Sequence, residues 1–102
     1  MAVNKVSNEN FEAKVLQNTK PVLVDFYADW CGPCKMLAPV VEQIASESDD
    51  YEVFKLNVDD ASDMAARYGV MSIPTLIVFK NGEAVARSVG VQSKQAILKM
   101  LV

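Results

Sequence analysis

Between Pro21 and the first cysteine lies Val22-Leu23-Val24-Asp25-Phe26-Tyr27-Ala28, apolar at six of its seven positions. A strand with one wet face alternates apolar and polar residues. An unbroken apolar run of this length suits a strand covered on both sides, inside a sheet with helices on either face. This constrains the chain more than any other feature, because other segments must then supply both covers. Pro21 stops any helix before it. Asp25 is the anomaly, a carboxyl inside a stretch that has to be buried.

The covers are legible. Ser7 is placed to cap a helix with Glu9 in its first turn and Phe11, Val15 and Leu16 on one face, ending near Gln17 to Lys20. After Cys31, residues Leu37, Val40, Val41 and Ile44 fall at i, i+3, i+4 and i+7, the spacing of a helix with one buried face. Pro39 lies within that pattern and removes the bond to the Lys35 carbonyl. It is expected to kink the helix rather than end it, because the periodicity continues to Ile44. Ser46 to Asp50 form a polar exit, and Tyr51 to Val58 alternate as a second strand. Asp60 is the expected cap of a short helix bearing Met64, Ala65 and Tyr68, closed by Gly69 in the left-handed conformation. Thr75 to Lys80 and Glu83 to Val89 flank Asn81-Gly82, a strong hairpin signal. Ser93 then caps a last helix with Ile97, Leu98 and Leu101 inward.

Strand, helix, strand, helix and a closing hairpin make an α/β fold, and 102 residues that are 51% hydrophobic and 23% charged suit one domain over 1–102. A net charge of -3 without any Lys/Arg cluster argues against nucleic acid and phosphate as partners. No apolar stretch approaches the roughly 18 residues of a membrane span, and residues 1–11 lack the pattern of a signal peptide, so no membrane association and a cytoplasmic location are expected. In that reducing setting a lone cysteine pair points to catalysis or metal binding before it points to a permanent crosslink.

Both cysteines and the only tryptophan fall in Trp30-Cys31-Gly32-Pro33-Cys34. In the first turn of a helix, two residues three apart have Cα atoms about 5 Å apart, inside the disulfide window of roughly 4.4 to 6.8 Å. Such a bond closes with little backbone movement. It restrains the unfolded chain by only about 2 kcal/mol, so it is a poor staple and a convenient switch. Unpaired N–H groups and the helix dipole favour a thiolate at Cys31. Pro33 suits the first turn and stiffens the loop between the sulfurs, while Gly32 lets another backbone come close. Two readings compete. Tetrahedral zinc takes about four ligands, and with no third cysteine and no histidine only a site shared between two chains would serve. Inert core cysteines are the other, although burial does not explain Gly-Pro between them.

Asp25-Phe26-Tyr27-Ala28-Asp29-Trp30-Cys31-Gly32-Pro33-Cys34-Lys35, then Ile73-Pro74-Thr75, Lys80-Asn81-Gly82 and Val89-Gly90, together resemble the thioredoxin family along essentially the whole chain. The resemblance implies the thioredoxin fold, three α/β/α layers with helices flanking a central mixed β-sheet. It implies a protein-disulfide reductase in which Cys31 attacks a substrate disulfide and Cys34 resolves the mixed disulfide. That division of labour suits one exposed thiolate and one protected partner. Asp25 becomes the base that deprotonates Cys34, its pKa raised by burial; on the residues alone, a structural ion pair or a wet edge position explains it equally. Lys55 matches the family lysine beside this aspartate.

The same resemblance makes the Ile73-Pro74 bond cis, facing the cysteines, with backbone groups before it free to pair with an extended substrate. Trp30, Gly32, Pro33, Ile73, Gly90 and Val91 would form the apolar rim. The implied partners are protein disulfides and a thioredoxin reductase drawing on NADPH or ferredoxin, with no tightly bound cofactor and no metal. Tyr27 departs from the family, where many members have tryptophan, and Met71-Ser72 lies in a variable part. The alternatives are a disulfide oxidase or isomerase on the same fold, against which Gly-Pro between the cysteines speaks, and a non-catalytic binding subunit.

Overall fold

Strand periodicity sorts the central run onto two faces. In the computed structural model, which describes residues 3–102, this run is strand β2 (Val22–Tyr27). Its Val22, Val24 and Phe26 enter one apolar layer with Phe11, Val15, Phe54, Leu56 and Phe79. Leu23 enters the other, with Leu37, Val41, Ile44, Leu76 and Ile97. Asp25 therefore sits on the Leu23 side of the sheet.

The sheet has the order β1-β3-β2-β4-β5. Strands β1 (Asn4–Lys5), β3 (Glu52–Asn57) and β2 run parallel. Strand β4 (Thr75–Lys80) is antiparallel to β2, and β5 (Glu83–Val89) antiparallel to β4. Helices α1 (Gly32–Glu47) and α3 (Lys94–Leu101) supply the buried residues of the Leu23 layer. A π-helical turn, Glu12–Leu16, and helix α2 (Ser62–Arg67) supply those of the other. This is the three-layer architecture with a mixed sheet that the sequence implies. Asn81 and Gly82 take positive φ of 53° and 80° at the β4–β5 turn, as a tight hairpin requires. A bulge opposite Val78 and Phe79 interrupts β5 at Val85, which disrupts the regular pairing of this edge strand.

Three local expectations change. The first helix is not an α-helix: Ser7 and Asn10 exchange side-chain bonds to each other's backbone N–H, but the segment closes in the wider register, Gln17 N–H donating to the Glu12 carbonyl. The Asn18 amide donates to the Lys14 carbonyl, and Gly82 approaches the Leu16 carbonyl, so the end of the turn is held from outside the helical ladder. Asp60 does not cap α2. Its N-cap is Ala61, and the N–H of Met64 donates 3.2 Å to the side chain of Asn8, a cap supplied from far along the chain. Strand β1 carries two exposed residues and no apolar run, so nothing in its pattern announced it. Elsewhere the reading stands: α1 continues through Pro39 to Glu47, Gly69 takes φ +66° after α2, and the Ser93 hydroxyl accepts the Ala96 N–H.

Candidate active site

Cys31 ends the turn after β2 and is the N-cap of α1, with Pro33 in the first turn and Cys34 at the third helical position. The Cys34 N–H, which has no carbonyl partner so early in a helix, donates to the Cys31 sulfur at 3.2 Å. An amide aimed at this sulfur, added to the helix dipole, favours negative charge there. The two cysteines are joined in a disulfide with Cα atoms 5.2 Å apart, close to the separation given by helix geometry.

Both cysteines are 4% exposed as residues, so exposure does not separate an attacking sulfur from a protected one. Their surroundings do. The Cys31 sulfur lies 3.9 Å from the Ile73 carbonyl oxygen, which an S–H in the dithiol form could address. Cys34 instead borders a cavity of about 160 Å³ shared with Asp25, Tyr27, Asp29, Lys35 and Lys55. A second cavity, of about 170 Å³, is lined by Lys20, Asp49 and Glu52 at the other ends of α1 and β3, away from the cysteines.

Asp25 is 5% exposed, and its Oδ1 has no hydrogen-bond partner. Burial pushes its pKa up from 3.8 to about 7, against the opposing pull of the Lys55 ammonium. Lys55 stands opposite Asp25 in the β2–β3 pairing. Its Nζ lies 5.7 Å over the centre of the Tyr27 ring.

The segment ahead of β4 forms the other wall. The Ile73-Pro74 bond is cis, and Ile73 packs on Ala28, Cys31 and Cys34. Among the described residues, neither the N–H nor the carbonyl of Ile73 enters a backbone bond. The Gly90 N–H donates 2.8 Å to the Pro74 carbonyl, which draws the Gly90-Val91 segment alongside. Gly90 holds φ +89°, a conformation that favours glycine, whereas a Cβ on Gly32 would meet nothing within 4 Å. Trp30 is 71% exposed and Val91 46%. Trp30 is held from the opposite side, its indole N–H donating 2.9 Å to Asp59.

Asp59 is the residue that reading along the chain missed. Its own N–H donates to the Asn57 side chain, and the Asn57 amide reaches Asp29 at 3.5 Å, so two loops are laced together beneath Trp30. The local half of that lacing, Asn57 two residues before Asp59, is a side-chain turn that the sequence could have revealed. The bond to Trp30 spans 29 positions and left no local trace.

The described residues contain no group of three or more histidine, cysteine, aspartate or glutamate side chains arranged to hold a metal ion. No described helix is long and apolar enough to cross a membrane. The chain matches the thioredoxin family model over residues 2–102. It is 50% identical over 97 residues to a thioredoxin of Streptomyces clavuligerus, covering 95% of this chain and 91% of that protein. It is 52% identical over 101 residues to one of Mycobacterium tuberculosis, covering 98% and 87% respectively. A solved structure, that of a mutant thioredoxin from Halobacterium salinarum, superimposes with a TM-score of 0.90 at 41% identity, covering 98% of this chain and 88% of that one.

Proposed function

The chain belongs to the thioredoxin family, and from that premise we propose that Cys31 attacks and Cys34 resolves in the reduction of protein disulfides. It is a thiol-disulfide oxidoreductase that cycles between a Cys31-Cys34 dithiol and the disulfide. The observation that supports these roles is the asymmetry of the pair: an amide N–H aimed at the Cys31 sulfur, a buried carboxyl sharing a cavity with Cys34.

The Cys31 thiolate attacks one sulfur of the substrate disulfide. The Cys31–substrate S–S bond forms, the substrate S–S bond breaks, and the released thiolate takes up a proton. Asp25 accepts the Cys34 proton, and the resulting thiolate attacks the Cys31 sulfur. The Cys31-Cys34 bond closes as the second substrate thiolate leaves, so two electrons pass to the substrate. A carboxyl titrating near neutral pH is matched to that transfer. Trp30, Gly32, Pro33, Ile73, Gly90 and Val91 form the rim against which an extended substrate lies, with the free backbone groups of Ile73 pairing to it. Pro74 supports that wall, and Lys55 tempers Asp25.

Family membership implies disulfide substrates and a thioredoxin reductase as partners. We assign the electron source to NADPH or ferredoxin through that reductase, and the setting to the cytoplasm. The test is reduction of insulin by the purified chain with a thioredoxin reductase and NADPH, alongside the equilibrium of its dithiol with a glutathione buffer. Turnover with a reducing potential supports the assignment; a strongly oxidising potential would make the chain an oxidase or isomerase.

A further inference from the structure

Lys5, Lys55 and Asp25 lie side by side across β1, β3 and β2, Lys5 opposite Lys55 and Lys55 opposite Asp25. Register partners point to the same face of a sheet, so an ammonium beside a buried carboxylate would be expected to swing onto it. It does not. Among the described residues the only ion pair within 4.0 Å is Lys94 with Glu47, and Oδ1 of Asp25 has no partner. The Lys55 ammonium lies over the Tyr27 ring instead, at 5.7 Å from its centre, within the range where a ring face attracts a cation. Tyr27 comes two residues after Asp25 on the same strand and therefore on the same face, so its ring draws Lys55 along the strand away from the carboxyl. The neighbouring Tyr27 side chain also pushes the pKa of the exposed Lys5 up.

We propose that Tyr27 is a positioning residue for the resolving step: its ring holds the Lys55 ammonium off Asp25 and keeps that carboxyl available to take the Cys34 proton. The proposal rests on the reading of Asp25 as the base for Cys34. It gives a use to the position at which this chain departs from the tryptophan of many family members. The groups that face Asp25 are Lys55 from β3, Tyr27 from its own strand, Asp29 from the following turn, and Cys34 and Lys35 from α1, all on one cavity; β4 presents the apolar Leu76. Lys55 is the register neighbour among them with a positive charge, and Tyr27 is the side chain that restrains it.

The test follows the Asp25 carboxyl carbon by NMR through a pH titration of the oxidised full-length protein. Tyr27→Leu frees Lys55, and the midpoint should fall by at least about half a pH unit. Tyr27→Phe keeps the ring face and should leave it unchanged. In a Lys55→Met background Tyr27→Leu should have no further effect, which separates lysine movement from wetting of the cavity. An unchanged midpoint in Tyr27→Leu, or the same fall with and without Lys55, overturns the proposal. If Tyr27→Leu does not fold, the wild-type protein still decides: the Lys55 ε-methylene protons should be shifted upfield by the Tyr27 ring, and their absence from the ring's shielding cone overturns it. Failure of Asp25 as base would be seen separately, as unchanged resolution in Asp25→Asn while the Tyr27 effect on the midpoint persists.

Discussion

The indole N–H of Trp30 donates to the carboxylate of Asp59 at 2.9 Å, tying the exposed aromatic beside the disulfide to the loop that follows β3. The pair lies at the surface, so its contribution to stability is small, about 1 kcal/mol or less. Its consequence lies in where the ring points. Asp59→Ala should shift Tm little, raise the mobility of Trp30 in fluorescence anisotropy, and raise KM for a protein disulfide about threefold, roughly 0.6 kcal/mol, with kcat held. An unchanged KM with a mobile Trp30 would remove this ring from the substrate rim.

Cys31 and Cys34 should respond differently to the same substitution. Cys31→Ser should abolish insulin reduction. Cys34→Ser keeps the attacking sulfur and removes the one that closes the cycle, so mixed disulfides with substrate should accumulate and be recoverable on non-reducing gels. Equal trapping by both variants would contradict the assignment of roles.

Asp25 should cost the fold stability in a pH-dependent way. Its native pKa is raised from 3.8 to about 7, so between those values the folded state binds the proton more tightly than the unfolded chain. Stability is therefore greatest below about pH 4 and falls as pH rises towards 7, the reverse of a salt-bridged carboxylate. The loss above pH 7 is at most about 4 kcal/mol. Asp25→Asn should remove that loss, raising stability in urea denaturation at pH 8 far more than at pH 4, while slowing resolution near neutral pH. Lost stability with an unchanged rate would make Asp25 a structural partner instead.

Two glycines of the rim should separate fold from function. Gly90 holds φ +89°, so Gly90→Ala should destabilise by about 1–2 kcal/mol through backbone strain alone. Gly32 has ordinary φ and open space in front of it. Gly32→Ala should leave stability within about 1 kcal/mol of wild type and raise KM, because the added methyl stands where an approaching backbone would lie. Chemical denaturation and steady-state kinetics on the two variants check both.

Much of this was readable from spacing. The apolar run of β2, the i, i+3, i+4, i+7 face of α1, the Asn81-Gly82 hairpin and the Cys31-Cys34 interval depend on neighbours a few positions apart, and local geometry converts them directly into strand, helix, turn and bridgeable pair. What failed was of another kind. The cap of α2 comes from Asn8, 56 positions from the N–H it accepts, and β1 exists because β3 offers it an open edge. Neither leaves a periodic mark.

For the site, residue order and spacing establish the covalent logic: two sulfurs three positions apart at a helix start, and a carboxyl in a strand that must be buried. How these groups act on one another emerges with the folded arrangement. Whether Asp25 meets Cys34, whether Lys55 pairs with it or lies over Tyr27, and what restrains Trp30 are set by strand order, register and the packing of α1 across β2. The physical reason is that local propensity is a property of a few bonds. The pKa and orientation of a side chain depend on charges and surfaces that chain closure brings within a few ångströms from anywhere in the sequence.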